Sequence, residues 1–151
     1  MVRKKISFPD HAWLRMDDPK NMMVITGLMA FDTPLDYERL KATLEQSFLV
    51  FRRFRQRLVP PMLPFTRPSW EDDPSFDIES HLQRVELSAP GDQQALQDLI
   101  SALMSVELDY SRPLWQFYIV EKYGKGSAIM MRVLLVGFGG MLGAIARHGD
   151  D

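Results

Sequence analysis

The feature that most constrains this chain lies near its end. WQFYIVEK and SAIMMRVLL are two apolar, strand-forming runs separated by YGKG, a short loop containing two glycines. Two such runs across so short a connection predict a β-hairpin. The remainder of the chain has to supply the layers that pack with it.

The candidates for those layers are legible upstream. DYERLKATLEQSF, from Asp36, spaces Leu40, Leu44 and Phe48 four apart among charged residues, the pattern of a helix with one buried stripe. Pro34 and a capping Asp36 mark its start. A second helix is predicted from Gln93 to Val106, capped by Asp92 and buried through Leu96, Leu99, Ile100 and Leu103. MMVITGLMAF, Met22 to Phe31, reads as a buried strand ended by DTP, and FDIESHLQRVEL places another strand in its second half. Between them Pro60, Pro61 and Pro64 exclude a helix or central strand and predict an exposed loop. Strands interspersed with helices, with the hairpin late, give an α/β class, an α+β layered lobe. At 151 residues the chain suits one domain or one lobe of a larger protein.

Charge is locally clustered although the net charge is only -2. FRRFRQR carries Arg52, Arg53, Arg55 and Arg57 between Phe51 and Phe54, and EDDPSFDIE carries Glu71, Asp72, Asp73, Asp77 and Glu79. Arginines interleaved with aromatics could grip nucleic acid, but no RNA-binding motif accompanies them, and a solvated basic face is the favoured reading. The acidic stretch lacks the register of a calcium loop. With no cysteine, thiolate metal sites and cysteine nucleophiles are excluded, and no metal or cofactor is expected. The N-terminus has a basic start without a following apolar stretch, which argues against a secretory signal. A cytoplasmic location is the expectation, with peripheral contact to the inner membrane or a lipid droplet as its variant.

Several stretches, taken in order, resemble the N-terminal part of the bacterial wax ester synthase/diacylglycerol acyltransferase family. They are DHAWL (Asp10 to Leu14), NMMVITGLMAFD (Asn21 to Asp32), RFRQRLV (Arg53 to Val59), the W-x-x-D-P-x-F-D-I-x-x-H-L segment (Trp70 to Leu82), APGD (Ala89 to Asp92) and SRPLW (Ser111 to Trp115). The resemblance implies the N-terminal lobe of a two-lobed, chloramphenicol-acetyltransferase-like fold. It implies transfer of a fatty acyl group from acyl-CoA to diacylglycerol or a long-chain alcohol, giving triacylglycerol or wax ester. It divides the chain into an incomplete acyltransferase-like lobe, residues 1–132, and an apolar, glycine-rich tail outside the family pattern, residues 133–151.

The same resemblance puts the chemistry in question. Such a transfer needs a general base to take the proton of the acceptor hydroxyl, and in this family it is the second histidine of HHxxxDG. That motif falls here on Leu134, Leu135, Gly139 and Gly140, of which only Gly140 matches. Leucine cannot take a proton, so no catalytic residue is assigned and the chain is expected to be an inactive portion of the enzyme, as a truncated or rearranged gene would give. Pro113, Leu114 and Trp115 keep the PLW motif, with packing beside the substrate tunnel as their expected role. His81 falls where the family often has histidine and is read as structural; His11 and His148 have no acidic partner at a telling spacing.

The tail allows two further comparisons. G-x-G after a strand suggests a dinucleotide turn, but the chain lacks the helix and distant acid that such a turn needs. LLVGFGGMLGAIARH resembles the opening helix of small bacterial fluoride channels of the CrcB type through Gly139, Gly140, Gly143, Ala144 and Arg147. The uncharged run from Val133 to Ala146 is shorter than the about 20 residues of a spanning helix. Two alternatives to the acyltransferase reading follow: a non-catalytic lipid- or protein-binding module, and a small membrane protein anchored by this run. A lobe without its partner also exposes apolar surface, so self-association is expected.

Overall fold

A computed structural model describes residues 3–5, 24–63 and 68–134, the first three by backbone alone. DHAWL, the first residues of NMMVITGLMAFD, His11, His148, Leu135 and the tail with its channel-like pattern lie outside the described residues.

The predicted hairpin is the centre of the larger of two sheets. β6 (Trp115–Tyr123) and β7 (Gly126–Leu134) pair antiparallel. β7 pairs on its other side with β2 (Val24–Phe31), also antiparallel, and β6 pairs in parallel with β5 (Leu82–Glu86), giving the order β2-β7-β6-β5. Parallel neighbours need a crossover, and α2 (Gln93–Met104) supplies it between β5 and β6. A smaller sheet has the order β1-β4-β3, from Arg3–Lys5, Ser69–Asp72 and Gln56–Val59.

One helix covers each face of the large sheet. α1 (Tyr37–Ser47), together with Phe48 just beyond it, sets Leu40, Leu44 and Phe48 against Trp115, Phe117, Ile119, Ile129 and Val133. On the opposite face Leu96 of α2 is buried with Leu87, Val120 and Ala128, and Leu99 and Ile100 flank them. Strands covered on both sides are apolar on both faces over most of their length. This is why β6 and β7 read as continuous hydrophobic runs. Each fully buried large side chain contributes about 1.5–3 kcal/mol relative to exposure.

Both helices begin where their caps predict. The Asp36 carboxylate accepts from the Arg39 N–H at 3.2 Å, and that of Asp92 from Ala95 N–H at 3.0 Å. At the far end of α2 the buried Arg132 guanidinium donates to Val106 O at 2.6 Å, a cation on the negative end of the helix dipole. The APGD turn docks on the hairpin. Gly91 has φ +66°, a Cβ there would lie 2.4 Å from Lys122 O, and Gly124 N–H donates to Gly91 O at 2.9 Å.

β2 differs from expectation. It is an edge strand rather than a buried one: Met29 is 59% exposed and Leu28, on the opposite face, 46%. Its composition satisfies a buried strand, but among the described residues it pairs with β7 alone, and of its side chains Val24 is the one packed against the core.

Candidate functional site

The PLW motif and the end of β7 meet. Leu134 N–H donates to Leu114 O at 3.0 Å, and Val133 stands opposite Trp115 in the β6–β7 register. Pro113, Leu114 and Trp115 are all buried, as is Leu134, whose side chain has no access to solvent. Position 134 therefore carries no group that can exchange a proton, within a wall of apolar side chains.

Trp115 ties together segments far apart in sequence. Its indole N–H donates to Phe54 O at 2.8 Å, and Phe54 belongs to a 3-10 turn, Arg52–Arg55, in the arginine cluster. Its own carbonyl lies 2.8 Å from Nδ1 of His81, which closes a second 3-10 turn, Ile78–His81. A carbonyl can only accept, so Nδ1 holds the ring proton. The imidazole also stacks on the indole, with centroids 4.3 Å apart and planes 19° apart. Phe48, Phe54, Phe76 and Phe117 complete an aromatic group around Trp115. Burial pushes the His81 pKa down; the bond to the Trp115 carbonyl opposes this and Arg112 adds to it.

The arginine and acidic clusters, separate in sequence, are partners in space. β3 and β4 pair so that Gln56 faces Asp72 and Arg57 faces Glu71. Arg52 grips Asp72 with two bonds of 3.0 and 2.7 Å, holding that carboxyl below the usual carboxylate range, and Arg57 meets the buried Glu71 at 3.1 Å. Arg53 lies 4.3 Å from the Trp70 ring centre, a cation–π contact. Much of the basic cluster is thus engaged within the protein rather than presented to a polyanion. The signal available in sequence was opposite charge on two runs either side of a proline loop.

Two cavities flank the segment leading into PLW. A cleft of about 690 Å³ is walled mainly by Leu58, Val59, Pro60, Pro61, Pro68 and Tyr110. A smaller cavity of about 150 Å³ has His81, Asp109, Arg112 and Gln116 among its walls. Among the described residues no group of three or more His, Cys, Asp or Glu is placed to hold a metal ion, and no helix is long and apolar enough to cross a membrane.

A mixed sheet with a helix on either face and a buried PLW entry into its central hairpin is one lobe of the chloramphenicol-acetyltransferase-like fold. The first condensation domain of the calcium-dependent antibiotic synthetase has that fold, with a TM-score of 0.69 at 18% identity over 89% of this chain and 33% of its own. Residues 6–133 match the family described as the wax ester synthase/diacylglycerol acyltransferase catalytic domain, and the chain belongs to that family. It is 36% identical over 120 residues to a Mycobacterium tuberculosis protein described as a probable diacylglycerol O-acyltransferase, covering 78% of this chain and 44% of the relative. The wax ester synthase/diacylglycerol acyltransferase from Marinobacter aquaeolei VT8 superposes with a TM-score of 0.74 at 27% identity, over 95% of this chain and 36% of its own. The chain thus spans less than half the length of these relatives.

Proposed function

We propose that the chain carries the first lobe of an acyl-CoA-dependent O-acyltransferase that makes triacylglycerol or wax ester, and that it does not perform the transfer itself. The acyl donor is acyl-CoA, and the acceptor is diacylglycerol or a long-chain alcohol. The observation that carries the second half is leucine at both positions of the family's histidine pair, Leu134 and Leu135, the first of them fully buried at the end of β7. Without a base the acceptor hydroxyl stays protonated and remains a poor nucleophile toward the thioester. Pro113, Leu114 and Trp115 serve as packing for that strand end, and the glycine-rich sequence after it departs from the family's pattern. The exposed apolar surface of β2 favours self-association, and the lobe works as a cytoplasmic protein with peripheral contact to a membrane or lipid droplet.

The test is direct. Purified protein is incubated with palmitoyl-CoA and either dodecanol or diacylglycerol, and free CoA and ester are measured. No turnover above the protein-free blank is expected; acyl-CoA-dependent ester formation overturns the proposal. The apolar cleft of about 690 Å³ favours one second reading, a lipid-binding module. Saturable dodecanol binding without ester formation is the outcome that selects it.

A further inference from the structure

His81 is the one buried histidine among the described residues, and only half of its ring chemistry is accounted for by the packing around Trp115. Nδ1 is committed to the Trp115 carbonyl, which leaves Nε2 as a bare acceptor lone pair. No described residue bonds to it. His81 is 3% exposed and lines the cavity of about 150 Å³. At the cavity's outer edge stand Asp109 and Arg112, whose side chains are 61% and 53% exposed and whose carboxylate and guanidinium approach to 3.6 Å.

The walls define a ligand class. The charges at the edge oppose one another, so the cavity favours a molecule without net charge. Its available groups are mostly acceptors: Nε2 of His81, the Gln116 amide oxygen, whose NH2 already donates to Phe117 O, and the Asp109 carboxylate. The Ser111 hydroxyl and N–H hold that carboxylate below its ordinary pKa, so it remains an acceptor. Acceptors call for hydroxyl donors. The volume is room for about five water molecules at ~30 Å³ each, the scale of a three-carbon polyol.

We propose that this cavity binds a small neutral polyol, one hydroxyl of which donates to Nε2 of His81 while the others meet Gln116 and Asp109. The site is independent of the acyl-transfer reading: it uses no residue of the missing motif and survives if that reading fails.

The probe is glycerol, titrated into the ¹⁵N-labelled full chain, with 1-propanol as the control that has the same carbon length and a single hydroxyl. Long-range ¹H–¹⁵N spectra report the His81 ring nitrogens, and the Gln116 side-chain amide reports the cavity wall. Expected are a proton on Nδ1 with a bare Nε2, saturable shifts of both reporters with glycerol, and no saturation with 1-propanol. His81→Asn keeps an N–H for the Trp115 carbonyl but places nothing at Nε2. Its affinity for glycerol, followed on Gln116, is expected to fall by about tenfold, the effect of one hydrogen bond. A proton on Nε2, unsaturable shifts, equal binding of 1-propanol, or unchanged affinity in a folded His81→Asn each overturns the proposal. Should the variant fail to fold, the wild-type tautomer and saturation arms decide it alone.

Discussion

Trp115 explains why three family segments travel together. RFRQRLV brings the carbonyl of Phe54 to its indole, the F-D-I-x-x-H segment brings His81 to its own carbonyl, and PLW holds the residue itself at the start of β6. The types of these residues were readable from sequence, but their meeting was not, because 61 residues separate Phe54 from Trp115 and local periodicity carries no information over that distance. The same limit hid the pairing of Arg52 with Asp72 and Arg57 with Glu71. His81 carries a pH signature. Its pKa in the folded protein lies below the 6.5 of the free side chain, chiefly through burial. Below that value the unfolded chain binds a proton that the folded chain does not. Stability therefore falls as pH drops from about 6.5 toward the folded pKa, and is flat with respect to this group above it. Urea unfolding at a series of pH values should show this slope in the wild type. In His81→Asn the contribution should vanish, and an identical slope in both proteins would assign it to other groups.

At the level of elements, the clearest reading in the sequence came from local chemistry. Asp36 and Asp92 cap their helices, YGKG turns the hairpin, and the second half of FDIESHLQRVEL is β5. These features depend on neighbours within a few residues, which is the range over which caps and turns act. The strand order depends on what pairs with what across the chain. Thus VITGLMAF, apolar enough for a sheet centre, occupies an edge among the described residues. The APGD turn combines both ranges. Its aspartate caps α2 locally, while its glycine fits under Lys122 of the hairpin, an approach that no side chain permits. Gly91→Ala is therefore expected to destabilise the fold by more than about 1 kcal/mol, through both the positive φ and the displaced hairpin backbone. Asp92→Ala should cost about 1 kcal/mol from the cap alone. Equal midpoints of Gly91→Ala and wild type in denaturant would show that the turn and hairpin do not touch in solution.

For the whole molecule, the decisive contrast lies between the two sides of the large sheet's order. β6 and β7 have strands on both sides and helices on both faces, whereas β2 ends the sheet among the described residues with Met29, Leu28, Ile25 and Phe31 all exposed. Soluble edge strands are ordinarily guarded by charge, proline or a bulge. VITGLMAF has no charged residue and no proline, and its register with β7 is continuous over all eight positions. The exposed side chains project from both faces, so apolar contact and strand pairing could act on the same strand. Self-association through β2 should appear as an apparent mass that rises with protein concentration in light scattering coupled to size exclusion. Met29→Lys places a charge on the most exposed of these positions, where it lies in solvent in the monomer and opposes its counterpart in an assembly. The monomer fraction should rise in this variant with the circular dichroism spectrum unchanged. A wild-type chain that stays monomeric up to about 100 μM, where weak apolar contacts of this size become populated, would show that β2 is not an association surface.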